Sequence, residues 1–119
     1  MSTAVLISGG LTKPVYKALT GTSSHDVYTA TQKQERVVLS HIVNTTAGAI
    51  VVTLTYRDTA LATDVPYFTR SVPSNDTVLV ELPVRLLEGD KIKVVGNTGI
   101  TIVLAVLIDN GPLGGLFGG

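Results

Sequence analysis

Few side chains in this sequence are of the kind that do chemistry, and their spacing limits what they could do. Ser23, Ser24, His25 and Asp26 set hydroxyls, an imidazole and a carboxylate side by side. A catalytic triad is assembled in space from separate elements, so adjacency is no sign of one, and these four residues read as loop structure. His41 alternates with Leu39 and Val43, as on a strand, and reads as a core or interface histidine. Two histidines, no cysteine and no HxH or HExxH spacing argue against a metal site. Asp58, Asp64, Asp76, Asp90 and Asp109 fall near expected turns, where carboxylates bond neighbouring backbone amides. They form no DxDxG calcium ladder, and no spacing sets two carboxylates across a cleft. No phosphate-cradling glycine motif occurs. The expectation is a chain that is not an enzyme and carries no metal or cofactor.

Aromatic residues offer one other kind of site. Tyr16, Tyr28, Tyr56 and Tyr67 could stack on a sugar, but there is no tryptophan, and Tyr28 and Tyr56 fall in expected strands where packing is the simpler role. Tyr67 and Phe68 are therefore the candidates for a carbohydrate or receptor site, which requires that they stand exposed in a loop.

The elements that would position these residues are strands. Ile100 to Ile108 is rich in β-branched residues, with Ile100, Ile102, Leu104, Val106 and Ile108 on one face and Thr101, Val103, Ala105 and Leu107 on the other. Both faces are mostly apolar, so this strand needs neighbours on both edges and cover on both sides, and is expected at the centre of the fold. Lys91 to Val95 alternates, and the Gly96-Asn97-Thr98-Gly99 cluster joins the two runs as an expected hairpin. Ile50 to Arg57 alternates most cleanly, with Ile50, Val52, Leu54 and Tyr56 turned inward. Further strands are expected at Asp26 to Ala30, Glu35 to Asn44, Pro66 to Val72 and Thr77 to Leu82, with weaker ones at Ala4 to Ile7 and Val15 to Leu19. Asp58 to Val65 reads as a loop, Pro73 to Asp76 as a turn, and Leu82 to Leu87 as at most one helical turn. The pattern predicts an all-β chain, an antiparallel β-sandwich or jelly roll of about eight strands with flexible terminal arms.

A chain of 119 residues is expected to form one domain, divided here into an N-terminal arm with weak strands (1–25), a sandwich core (26–108) and a Gly-rich C-terminal arm (109–119). Hydrophobic residues make up 45% and charged residues only 15%, well under the usual quarter, so there is little charge to dress an isolated surface. Subunit contacts are the expected cover. Net charge is zero with no basic run, which argues against direct nucleic-acid binding. The longest apolar run is too short for a membrane-spanning helix, and no signal peptide is recognised. Absence of cysteine suits assembly in a reducing cytoplasm. The C-terminal segment combines glycines with Leu113, Leu116 and Phe117, apolar anchors that a purely disordered tail would not need. With Val5, Leu6 and Ile7 near the N-terminus, these are the candidate subunit-interface residues.

The elements VYTA, a strand ending IVNTT, VVTLTYRD, the PSNDTVLVEL turn and strand, and LLEGDKIKV run from Asp26 to Ile108. Together they resemble small β-sandwich virion proteins of tailed bacteriophages. The resemblance implies a structural virion part, as capsid decoration or cement, or as a neck or tail component. Its implied partners are copies of itself and other virion proteins such as the major capsid protein.

Overall fold

The alternation in Ile100 to Ile108 is realised as a strand whose inward side chains, Ile102, Leu104 and Val106, are fully buried. It belongs to a computed structural model that describes residues 14–108. Nine strands are present among the described residues: β1 (Val15–Ala18), β2 (His25–Thr29), β3 (Gln34–Asn44), β4 (Ile50–Asp58), β5 (Thr63–Val72), β6 (Asp76–Val80), β7 (Val84–Leu87), β8 (Lys91–Val95) and β9 (Ile100–Ile108). They form two antiparallel sheets, and no helix occurs among the described residues. The first sheet runs β1-β9-β3-β6, with β7 following β6 along the same edge of β3; the second runs β2-β8-β4-β5. This is the expected β-sandwich. Ile42, Leu86, Ile102 and Leu104 of the first sheet meet Val52, Leu54, Ile92 and Val94 of the second, all fully buried.

As expected from its two apolar faces, β9 is interior to its sheet, paired with β1 on one edge and β3 on the other. The expected hairpin of β8 with β9 does not form. β8 lies in the second sheet and β9 in the first, so residues 96–99 arch across the core. Gly96 makes the crossing possible, because a Cβ there would stand 3.0 Å from Leu19 Cδ1 and 3.4 Å from Val52 Cγ2. Gly99, at a φ of +101°, turns the chain into β9, and its carbonyl accepts from the Thr45 amide at 3.0 Å. A Cβ on Gly99 would collide with Thr46 Cγ2 at 2.2 Å. The arch is pinned to the β3–β4 turn, not to β8.

Two further expectations are corrected. Leu82 to Leu87 holds no helical turn: Val84–Leu87 pairs with Gln34 to Val37 as β7, and buried Leu86 shows why an extended strand wins. Asp58 to Val65 is only half loop, because β4 and β5 continue to the Asp58↔Thr63 pair and leave residues 59–62 as a tight turn. Asp58 Oδ1 accepts from the Leu61 amide at 3.1 Å, and Ala62 takes a positive φ of 50°. Pro66 lies within edge strand β5, beside a bulge where Phe68 opposes Leu54 and Pro66 opposes Thr55. Val15–Ala18 is an edge strand of the first sheet. Ala4 to Ile7 and the segment 109–119 lie outside the described residues.

Candidate assembly surfaces

Side chains opposite one another in an antiparallel ladder share a face, so the register gives the composition of each outer surface. On the first sheet the row Tyr16–Val103–His41–Leu79 crosses all four strands. The next rows are Ala18–Thr101–Val43–Thr77 on one side and Ala105–Leu39 on the other. Tyr16 is 71% exposed and Leu79 46%. Charge enters only at one end, where Arg36 stands between Leu107 and Arg85. His41 is exposed at the centre of this face, on the same side of β3 as Leu39 and Val43, so it is no core histidine; Ile42 takes the inside.

The second sheet's outer surface has the opposite character. Its rows include Asp26–Lys93–Thr55–Pro66 and Lys91–Arg57–Asp64. Lys91 Nζ meets Asp26 at 2.9 Å, Arg57 meets Asp64 at 3.1 Å, and Thr53 and Thr69 hydroxyls pair at 3.1 Å. The hydrogen bond from Lys91, together with the charges of Lys91, Lys93 and Lys17, holds the Asp26 carboxyl below its ordinary range against the opposing effect of burial. The second sheet's face thus carries paired charges and threonines beside the exposed Val51 and Val95, whereas the first sheet's face carries Tyr16, Val103 and Leu79 around an exposed His41.

The buried carboxylates do structural work. Glu35, fully buried on β3, accepts from the Tyr28 hydroxyl of β2 and from the amides of Thr31 and Gln32 at 2.8 and 2.7 Å, tying the two sheets together. Asp90 accepts from the Tyr56 hydroxyl at 2.7 Å and from the Thr59 and Leu87 amides at 3.0 Å each. Burial alone would raise the Asp90 pKa, but these three donors outweigh it and hold it below the usual value. Asn44 is satisfied on both sides: its amide reaches Gly48 O and Val72 O, and its carbonyl takes Thr46 N and Oγ1. The loop reading of the Ser23–Asp26 run holds only for Ser23 and Ser24: His25 and Asp26 open β2 opposite Val94 and Lys93, with His25 Nδ1 2.8 Å from Ser23 O, its Nε2 3.2 Å from Thr20 N, and Asp26 drawn to Lys91.

Three phenols are shifted together. Desolvation, with added effects of Glu35 and Asp90 on their partners, pushes Tyr28 and Tyr56 up to about 12; burial alone pushes Tyr67 up to about 12. An unfolded chain releases these protons near pH 10. Between about pH 10 and 12 the folded state therefore binds more protons than the unfolded state, and stability must fall as pH rises. Urea midpoints measured from pH 9 to 12 are expected to drop steadily across that window, and Tyr56→Phe is expected to flatten the drop.

Of the residues singled out in the sequence, Tyr67 and Phe68 do not stand in a loop. Both lie on β5 at the bulge and pack against the core as partly buried side chains. Tyr67 lines an open groove of about 440 Å³ between β5 and the β6–β7 link, with Tyr56, Val65, Leu82, Pro83, Val84 and Arg85. Val5, Leu6, Ile7, Leu113, Leu116 and Phe117 lie outside the described residues. The apolar outer face went unassigned in the sequence, although its signal was present in the mixed outward positions of β3 and β9.

No family model matches the chain, and no curated protein sequence matches it. Among solved structures, it is similar to Bacillus endospore appendages, described as disulfide-linked pili, at TM-score 0.48 and 10% identity over 82% of this chain and 88% of that one. The core of Drosophila NLP, described in terms of pentamer formation and histone binding, gives TM-score 0.47 and 10% identity over 82% and 99%. The VP2 subviral particle of infectious bursal disease virus gives TM-score 0.45 and 14% identity over 86% of this chain and 32% of that one.

Proposed function

We propose that this chain is a non-enzymatic structural component of a bacteriophage virion, acting as a capsid decoration or cement protein that stabilises the shell through subunit contacts. The observation that carries the reading is the difference between the two outer faces, with ion pairs over one sheet and the row Tyr16–Val103–His41–Leu79, three of its four side chains large and mainly apolar, across the other. Burying each large apolar side chain of that row contributes about 1.5–3 kcal/mol, and no ion pair need be desolvated in its centre. A copy of this chain or a shell protein is the natural cover, in a closed symmetric arrangement. The sequence resemblance to small phage virion sandwiches points the same way. Assembly would take place in the host cytoplasm.

The test is the copy number of this chain in purified particles, relative to the major shell protein. A count comparable to the shell protein is expected. A count matching one ring or a stack of rings would move the protein to the neck or tail, and absence from the particle would sink the structural reading.

A further inference from the structure

The rows on the outer face of the first sheet differ in charge along the strands. The row through His41 lies between the Leu39–Ala105 row and the Thr101–Val43–Thr77 row, and the paired residues of these three rows include no carboxylate, lysine or arginine. Beyond them on one side, β7 brings Arg85 opposite Arg36. Beyond them on the other side, the same edge of β3 runs out where Asn75 and Asp76 lead into β6. Arg85 and Asp76 are both exposed. Arg85 donates to the Gln34 amide oxygen at 2.8 Å, a neutral partner that leaves its charge in place, and Asp76 Oδ1 accepts from the Thr77 amide at 2.8 Å. The β6–β7 edge of the face thus has a cation near one end and an anion near the other.

A surface that meets its own copy must be self-complementary about a two-fold axis. For two sheets face to face, that axis lies in the plane between them. Laid along the strands, it sets the Leu107–Arg36–Arg85 row against itself, like charge on like. Laid across the strands through His41, it exchanges the two ends of the face. Leu39 then meets the partner's Val43, and Arg85 comes over the partner's Asp76, twice by symmetry. On the axis Tyr16, Val103, His41 and Leu79 each meet their own copy, and one imidazole can donate its N–H to the ring nitrogen of the other. Four strands about 4.8 Å apart, with four rows of two residues at about 3.4 Å each, make a face of roughly 500 Å² per subunit, or about 1,000 Å² for the pair, where specific interfaces begin.

We infer that the first sheet's outer face pairs with the same face of a second copy of this chain, about a two-fold axis that crosses the strands at the His41 row, with Arg85 against the partner's Asp76 at each end. The inference rests on the reading of this face as a contact surface, and adds its occupant and its orientation. A second copy is assigned because the exchange of ends by itself matches opposite charges at the rim and mainly apolar rows at the centre.

The chain has no cysteine, so one introduced thiol reports the geometry. Sheets packed face to face lie about 10 Å apart, within reach of a short bis-maleimide. His41→Cys in the full-length protein is expected to give a covalent dimer with that reagent, and Val103→Cys, also on the axis, repeats the test if His41 is itself needed for pairing. Leu107→Cys is expected to stay monomeric, because the crosswise axis sets its two copies roughly 27 Å apart along the strands. In sedimentation velocity Arg85→Glu should weaken the dimer at least tenfold, and adding Asp76→Arg should restore it. No covalent dimer from either axial thiol, equal yield from Leu107→Cys, or no restoration by the second charge change would overturn the inference. Incorporation into particles then separates it from the reading beneath it. If Val103→Lys still blocks incorporation, the face contacts another virion protein and the self-pairing alone is wrong; if Val103→Lys enters particles freely, the contact surface is wrong as well.

Discussion

Glu35→Ala is expected to destabilise the isolated domain by about 3 kcal/mol, read as a fall in the urea midpoint at unchanged slope. Three donors converge on this carboxylate, the Tyr28 hydroxyl and the Thr31 and Gln32 amides, and the residue is fully buried. Truncation leaves all three without their acceptor and opens a void between the sheets. Water can reach some of them, since the bonds are only part-buried, which holds the loss below the sum of three full penalties. Against a total stability of about 5–15 kcal/mol for such a domain, the loss is large. Tyr28→Phe removes one bond of the set and should cost about 1 kcal/mol. If Glu35→Ala melts with the parent, the carboxylate does not hold the sheets together. Asp90 plays a similar part between β4 and the β7–β8 turn. Its depressed pKa means that its contribution is present above about pH 4 and is lost as pH falls through the folded value.

The second large effect concerns association. Val103→Lys is expected to weaken subunit contact at least a hundredfold while leaving the fold of the isolated chain intact. Val103 lies at the middle of the outer row, between Tyr16 and His41, so it can point a lysine to solvent in the free subunit. In a covered face the same ammonium would be buried without a partner, at a cost of about 3 kcal/mol or more, which is more than two decades in affinity. Thr53→Lys, on the outer face of the second sheet, is the control and should leave association unchanged. Sedimentation velocity of the free protein and incorporation into particles are the two readouts. Equal loss from both variants, or from neither, would mean that the apolar face is not the contact surface.

Much of the architecture was legible in the chain. Alternation located β4, β8 and β9 at or within one residue of their observed bounds, because a strand with one face in a core must repeat every second residue. The interior position of β9 followed from having two apolar faces. Of the carboxylates read as backbone acceptors near turns, Asp58, Asp76 and Asp90 do accept backbone amides, Asp64 on β5 instead pairs with Arg57, and Asp109 lies outside the described residues. The strand β7 was missed because four residues after a proline are too few for a period to declare itself.

Pairing partners were beyond sequence reasoning. Among consecutive described strands, β4 and β5 alone bond to one another; every other turn leads the chain to a different sheet or a different partner. Gly96-Asn97-Thr98-Gly99 and Pro73-Ser74-Asn75-Asp76 look like hairpin turns because a hairpin and an arch across the core demand the same residues, those tolerant of positive φ and tight packing. The candidate surface depended on the same information. Composition already showed too little charge for two solvated faces, but whether the apolar outward positions of β1, β3, β6 and β9 were scattered or contiguous is a question of register. The residues alone determined strands, an inner face for each and a shortage of charge, since these follow from local periodicity and counting. Only the tertiary structure decided that Tyr16, Val103, His41 and Leu79 form one row and that the ion pairs lie on the opposite sheet, because long-range hydrogen bonding sets which strands become neighbours.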